Sequence, residues 1–237
     1  MRIDEPPPVS PAPAEEVMDA THGRVVARLL SKAERQRRQA AARAGRLRLL
    51  DHVELLAPER LPELARQSLW LLLGSGAGFL VLEALARRVQ HAGPVLGALP
   101  LPVPARIAAL LVANAVSYVL VLPLHEAAHA GAILALGGRP RFGLKLPLAA
   151  YCTAPSQLFT TRGYTFVALA PLVALTLAGA AATWLWPDLG ACIVFALAGN
   201  VSGAVGDLTT AGHIRALPAD ALIADTATGY SAYAIAT

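Results

Sequence analysis

Four long apolar stretches alternate with short polar ones after residue 66. They cover about residues 67–86, 107–136, 164–186 and 189–207, and the third carries no charged side chain. A helix that crosses a bilayer needs about 20 consecutive apolar residues, a length that each stretch reaches or nearly reaches. The pattern therefore predicts four transmembrane helices within a domain over 67–237, and the predicted fold class is an all-α integral membrane protein.

The composition supports this prediction. Of 237 residues, 55% are hydrophobic and 15% are charged, and the mean hydropathy is +0.51, which is too apolar for an ordinary soluble domain. Residues 1–66 hold 22 of the 36 charged side chains, 12 basic and 10 acidic. Basic residues in this head and in the loop before residue 163 indicate that both termini face the cytoplasm, and we expect a bacterial inner membrane.

The head divides into two predicted parts. Residues 1–21 are rich in proline and predict a disordered leader, with acidic residues where a cleavable signal would be basic. Residues 22–66 predict a basic cytoplasmic helical region, because residues 22–50 contain nine basic residues and one acidic residue. Such a helix either lies on anionic lipids, binds an acidic partner or is simply solvated. Nucleic-acid binding is disfavoured because interleaved aromatic residues are missing.

The second apolar stretch contains the segment VLPLHEAAHAGAILAL, which places His125, Glu126 and His129 among apolar residues. Positions i and i+4 share one face of a helix, so both histidines can hold one ion, and zinc is the ion that this spacing favours. Glu126 is placed to accept a proton from a bound water. Ionisable groups in a membrane are costly without a partner, which favours a metal over the alternative, a polar cluster joined by hydrogen bonds.

A third ligand must come from elsewhere in the chain. Asp207 is the preferred candidate and His213 the second, because His125 and Asp207 each lie 19 residues, about 28 Å, along helices that run in the same direction. Asn200, two turns before Asp207, shares its face and would orient the carboxylate or donate to an oxyanion. Four other side chains are placed at unsuitable depths or in a loop: Glu83, His91, Cys152 and Cys192.

The segment after the HEAAH helix shows a spacing of two. Phe142, Leu144, Leu146 and Leu148 predict either a short β-strand or hairpin, or an interfacial loop that packs its leucines. A strand at this place could pair with an extended peptide.

The motifs together resemble a known family. HEAAH, followed about eighty residues later by GNVSGAVGD, is similar to the putative zincin peptidase family of multi-pass membrane proteins, which in turn resembles the site-2 intramembrane metalloproteases. The resemblance covers about residues 105–230. It implies that His125, His129 and Asp207 bind one zinc ion, that Glu126 is the catalytic base and that Asn200 assists in the active site. Leu208 follows Asp207 where the site-2 proteases usually have glycine.

The sequence thus predicts a membrane zinc metallopeptidase that acts on a transmembrane or membrane-proximal protein substrate. The alternative is a non-catalytic membrane zinc-binding or regulatory module that binds a partner's transmembrane helix. Glu126 discriminates between them, because a purely structural zinc site has no need of a base. A transporter is disfavoured, since the polar residues concentrate at one depth instead of lining a path.

Overall fold

The computed structural model describes residues 23–28, 30–97, 99–145, 149–226 and 228–236. The predicted leader, residues 1–21, lies outside them. The helices are α1 (Lys32–Arg43), α2 (Leu61–Val89), α3 (Val103–Ala135), α4 (Thr161–Leu185), α5 (Pro187–Gly203) and α6 (Val205–Ile214). The strands are β1 (Arg24–Val26), β2 (Leu47–Glu54), β3 (Arg141–Lys145), β4 (Ala149–Thr153), β5 (Gln157–Thr160), β6 (Leu222–Asp225) and β7 (Gly229–Ile235).

Among the described residues, four helical stretches are long and apolar enough to cross a membrane. They are α2, α3, α4 and the stretch Pro187–Ile214, in which α5 and α6 meet at Ala204. Helix α5 packs against α2, α3 and α4 and is the most buried of the four apolar stretches. The outer helices expose large apolar side chains, such as Val119 (63% exposed) and Leu177 (65%). Side chains of this kind fit a lipid surface better than water.

The all-α prediction is wrong in one respect, because the mostly helical chain also forms a five-stranded sheet. The strand order is β1-β5-β6-β7-β2, in which β1 pairs parallel with β5 and every other pair is antiparallel. Strands β1 and β2 lie in the basic region that was predicted to be helical, and among its described residues α1 is the only helix before α2 begins. Val25 and Val26 belong to β1, and Leu47, Leu49 and Leu50 belong to β2.

The sheet covers one end of the helical bundle. On one face Val26, Phe159 and Ile223 pack with Ile133 and Ile214, which lie at the ends of α3 and α6. Their sequence neighbours point to the opposite face and pack with Ala42 of α1: Val25, Leu158 and Leu222. This alternation is the normal consequence of a strand's period of two. The sheet is thus held between α1 and the bundle.

The predicted hairpin after the HEAAH helix is present. Strands β3 and β4 pair antiparallel, with Phe142 opposite Cys152, and β4 packs against α3. Leu146 and Leu148, which contributed to the predicted spacing, lie outside the described residues.

Candidate metal centre

Helix α3 presents the two motif histidines on one face. The centroids of the His125 and His129 rings are 5.0 Å apart and their planes meet at 74°. Both side chains are largely shielded, with 13% and 12% of their surface exposed. The spacing of four residues therefore brings two imidazoles together in a partly enclosed space, as the sequence indicated.

Asp207 completes the group from the first turn of α6. Its Oδ2 lies 3.1 Å from His125 Nε2, and its Oδ1 lies 3.5 Å from His129 Nε2. One ligand atom from each of the three residues lies within 4.8 Å of the others. The equal depths inferred from the sequence thus correspond to contact between α3 and α6.

Each histidine is held by a hydrogen-bond acceptor at its other nitrogen. His125 Nδ1 lies 3.0 Å from Asn200 Oδ1, and His129 Nδ1 lies 2.9 Å from the carbonyl oxygen of Val167. An amide or backbone oxygen can only accept, so both Nδ1 atoms must carry hydrogen. A neutral ring then has its lone pair on Nε2, which is the atom that faces Asp207. Metal-bound histidines are commonly oriented by such partners.

A proline explains why the Val167 carbonyl is free to accept this bond. Pro171 lies four residues after Val167 inside α4 and has no N–H to complete the usual helical bond to that carbonyl. The oxygen is available to His129 instead. The sequence segment ALAP, which ends at Pro171, contains this signal, although its partner on another helix could not be read from it.

The distances from the Asp207 oxygens to the two histidine nitrogens are compatible with a zinc ion. In a tetrahedral site with bonds of about 2.05 Å, neighbouring ligand atoms lie about 3.3 Å apart, and the two measured N···O separations bracket this value. A bare Nε2 lone pair close to a carboxylate oxygen is repulsive unless a proton or a cation lies between them. The group is therefore arranged for a shared cation, and two histidines with one carboxylate are a common zinc donor set.

Glu126 lines the same cavity as the three candidate ligands. The cavity has a volume of about 520 Å³, and residues of α2, β4 and the β6–β7 turn contribute to its wall. The Glu126 carboxylate interacts with the backbone N–H of Cys152 on β4. The site thus has a carboxylate that is separate from the metal group and space for a substrate segment beside it.

Asn200, which was predicted to orient the Asp207 carboxylate or to donate to an oxyanion, is buried and contacts His125. It is 2% exposed, and its Nδ2 lies 3.4 Å from both the Pro171 carbonyl oxygen and Thr176 Oγ1. Its described contact with the centre is the hydrogen bond to His125, and its predicted role toward the Asp207 carboxylate or an oxyanion stays a prediction. The two-turn spacing to Asp207 did indicate a shared face, since both residues reach His125.

Sequence analysis missed a second polar pair in the cavity wall. The Tyr164 hydroxyl donates to Asp225, and Asp225 also accepts from the Ala154 N–H at 2.9 Å. Burial raises the pKa of the Asp225 carboxyl, and it raises the pKa of the Cys152 thiol to about 12. Cys152 therefore remains a neutral thiol at physiological pH. Asp225 belongs to no motif, which is why the sequence did not indicate it.

The other candidate ligands are not part of the group. His213 is exposed and lies six residues after Asp207 on α6. Glu83 forms an ion pair with Arg87 at 2.7 Å, and His91 is exposed beyond the end of α2.

A comparison with protein families found one that agrees with this geometry. The model of a family described as "Putative zincin peptidase" matches residues 118–222, a segment that contains His125, Glu126, His129, Asn200 and Asp207. The resemblance to this family is confirmed over that segment. Searches of curated proteins and of solved structures found no significant match, so the likeness to site-2 proteases stays a prediction.

Proposed function

We propose, from the family match and the geometry of the metal centre, that this protein is a membrane-spanning zinc metallopeptidase. It hydrolyses a peptide bond in or near the bilayer. The observation that carries the proposal is the convergence of His125, His129 and Asp207, with both histidine Nδ1 atoms held by acceptors. Because this arrangement leaves both Nε2 atoms directed at one point, it supports a metal-binding role better than a simple polar cluster.

The chain's own residues supply binding, orientation and proton transfer. A zinc ion at this site would lower the pKa of a bound water and polarise a peptide carbonyl. Glu126 accepts the proton of the attacking water and passes it to the departing amine nitrogen. Cys152 lines the same cavity as Glu126, and its backbone N–H favours the charged form of the Glu126 carboxylate. Asn200 and the Val167 carbonyl keep the rings of His125 and His129 in place, so Asn200 is a positioning residue here.

The proposed substrate is a transmembrane or membrane-proximal segment that binds in extended form. A helix shields its own carbonyl groups, so the segment must unwind before attack. Strand β4 is paired with β3 on one edge, and Tyr151 and Cys152 of β4 line the cavity that contains the site. Among the described residues, no strand pairs with the other edge of β4. An extended segment that pairs with this edge would bring its carbonyl groups close to the centre.

The proposed location is the cytoplasmic half of an inner membrane. His129 lies six residues before the end of α3, roughly 9 Å along the helix, and the sheet covers the same end of the bundle. Basic residues concentrate at this end, in the chain before α2 and in the loop between α3 and α4. This charge pattern is typical of the cytoplasmic side. Cleavage would therefore occur near the cytoplasmic interface.

The alternative function, a zinc-binding module without catalysis, does not require Glu126. A structural site is complete with its ligands and needs no base. The position of Glu126 in the wall of the cavity favours the peptidase.

The test compares cells of the source organism that carry wild-type Glu126 or Glu126→Gln at the native locus. New protein termini are mapped in the membranes, and zinc is measured in the purified proteins. We expect the glutamine variant to keep zinc and to lose a set of cleavage products, since proton transfer contributes about 10²–10⁴-fold in rate. Glu63→Gln, in an exposed pair with Arg66, is the matched control and should keep all products. Identical products in the wild type and Glu126→Gln would contradict the proposal.

A further inference from the structure

A second cavity lies between α3 and α4, on another face of α3 from the metal centre. Its volume is about 920 Å³. Gly131, which contributes to its wall, is about 200° round the helix from His129. A Cβ atom added at Gly131 would meet no neighbouring atom within 4 Å. We call this cavity the α3–α4 groove. Small residues on α3 leave space there for a chain-like apolar ligand.

The side chains around the groove are mostly apolar, apart from two arginines and two threonines. Ala128, Gly131 and Ala135 line it from α3, and Phe166 lines it from α4. Phe166 is 51% exposed, which shows that the groove opens outward between the helices. For a chain in a bilayer, this opening would face lipid.

Positive charge marks the end of the groove that lies next to the sheet. Arg162 and Arg215 line this end and are exposed, and the side chain of neither contacts another described residue through an ion pair or hydrogen bond. Arg28 adds a third guanidinium, whose Nη1 donates to the Ala135 carbonyl at 3.3 Å. Asp220, five residues after Arg215, is exposed, and its charge also acts on Arg37 of α1. Among the described residues, basic side chains therefore outnumber acidic ones at this end of the groove.

We propose that the α3–α4 groove binds one anionic phospholipid. An acyl chain lies along Gly131 and Phe166, and the phosphate group lies between Arg162 and Arg215. Basic pockets between transmembrane helices on the cytoplasmic side are known to bind anionic lipid headgroups. This ligand matches both properties of the groove, an apolar length and a cationic end, whereas a zwitterionic lipid matches only the first.

The proposal rests on the membrane location given above, but it does not depend on hydrolysis. A bound lipid would bridge α3 and α4, the helices that the His129–Val167 hydrogen bond joins. We therefore expect binding to stabilise the folded chain, since a ligand that binds only the folded state raises its stability.

The test measures lipid binding to the purified full-length chain in detergent. Dioleoyl phosphatidylglycerol is compared with dioleoyl phosphatidylcholine, which has the same acyl chains, and with glycerol phosphate, which has none. Binding is measured by native mass spectrometry, and the melting temperature is recorded at each lipid concentration. Zinc content is measured in parallel, so that loss of the metal centre is seen separately from loss of lipid binding.

Two kinds of variant separate the headgroup from the acyl chain. Arg162→Gln with Arg215→Gln removes the cationic end, and Arg35→Gln with Arg43→Gln is the control that removes equal charge from exposed positions on α1. Gly131→Leu fills the groove, and Ala135→Leu is a second filling variant in case the first fails to fold. Gly74→Leu adds the same bulk on α2, where a Cβ also meets no neighbour.

We expect phosphatidylglycerol to bind more tightly than phosphatidylcholine and glycerol phosphate to bind weakly. Each basic residue beside an anionic lipid contributes a factor of roughly five, so the Arg162/Arg215 pair should weaken phosphatidylglycerol binding by roughly 25-fold. The filling variants should reduce the binding of both lipids. The Arg35/Arg43 variant and Gly74→Leu should bind both lipids as the wild type does.

Three results would overturn the proposal. One is equal binding of the two lipids by the wild type. Another is an equal loss of phosphatidylglycerol binding in the Arg35/Arg43 variant and in the Arg162/Arg215 variant, which would indicate general attraction to a basic surface. The third is unchanged lipid binding in a folded filling variant. This result would mean that the lipid binds outside the groove, which would then be available to a partner helix.

Discussion

Replacing Asn200 with alanine removes the acceptor that holds His125. The two residues are joined by a hydrogen bond of 3.0 Å between His125 Nδ1 and Asn200 Oδ1, and Asn200 is 2% exposed. Without this bond the ring is free to rotate and to move its hydrogen to Nε2, the atom that faces Asp207. Loss of such a partner typically weakens metal binding by about 10–100-fold. We expect zinc affinity to fall within this range, or by about 1.4–2.8 kcal/mol.

Two further variants control for general damage. Asn114 is a similar buried amide, 4% exposed, which joins α3 to α5 through the Ala191 carbonyl and the Phe195 N–H at 2.8 and 3.0 Å. Asn114→Ala should lower the free energy of unfolding by about 1–3 kcal/mol, because it removes two hydrogen bonds that join α3 to α5, and should leave zinc affinity unchanged. Asn200→Asp keeps an acceptor and should retain most of the affinity.

The assay is a titration of the metal-free chain with zinc in competition with a fluorescent chelator. Unfolding is followed separately for each variant in the same detergent. The assignment of Asn200 as a positioning residue is refuted if Asn200→Ala binds zinc within about twofold of the wild type. It is equally refuted if Asn114→Ala weakens zinc binding by the same factor.

Three other predictions follow from local geometry. Pro171→Ala restores an N–H that competes for the Val167 carbonyl, so zinc affinity should fall although α4 becomes more regular; the titration described above measures this, and higher affinity would contradict it. Gly229→Ala places a Cβ 1.8 Å from a backbone oxygen of β2 and should destabilise the fold by at least about 3 kcal/mol. Gly212→Ala adds a Cβ with no neighbour within 4 Å and should stabilise the fold by about 0.5–1 kcal/mol. Thermal unfolding measures both variants, and equal effects on stability would refute the contrast. Two arginines on α1 lower the pKa of Glu34 to about 2 from 4.5, so the stabilising charge is present above pH 4.5 and is lost as pH falls toward 2; the melting-temperature difference from Glu34→Gln should disappear over that range, and a constant difference would exclude this cause.

The helices and the three candidate ligands could be predicted from the sequence, because each prediction uses a local pattern or the depth of a residue along its own helix. Long apolar stretches indicate spans wherever they occur. The four-residue spacing placed His125 and His129 on one face, and counting along two helices of the same direction placed Asp207 at their level. These are properties of single helices, so they survive without knowledge of how the helices pack.

The sheet was missed because two of its strands are very short and because, apart from β6 and β7, neighbouring strands are distant from one another in the chain. Strand β1 has three residues and β5 has four, and their pairing joins Val25 to Leu158. A segment of one arginine and two valines is too short to show a periodicity that separates strand from helix. The hydrogen bond between Asn200 and His125 also could not be predicted from the sequence. The spacing of seven indicated a shared face with Asp207, but which atom Asn200 contacts depends on how α5 packs against α3.

The zinc content of four purified proteins tests the central claim most directly. The claim is that His125, His129 and Asp207 bind one ion across α3 and α6. We expect about one zinc per chain in the wild type and in His213→Ala, and far less in His129→Ala and Asp207→Ala, because each of these two variants removes one of only three protein ligands. Full zinc content and unchanged affinity in Asp207→Ala would contradict the claim.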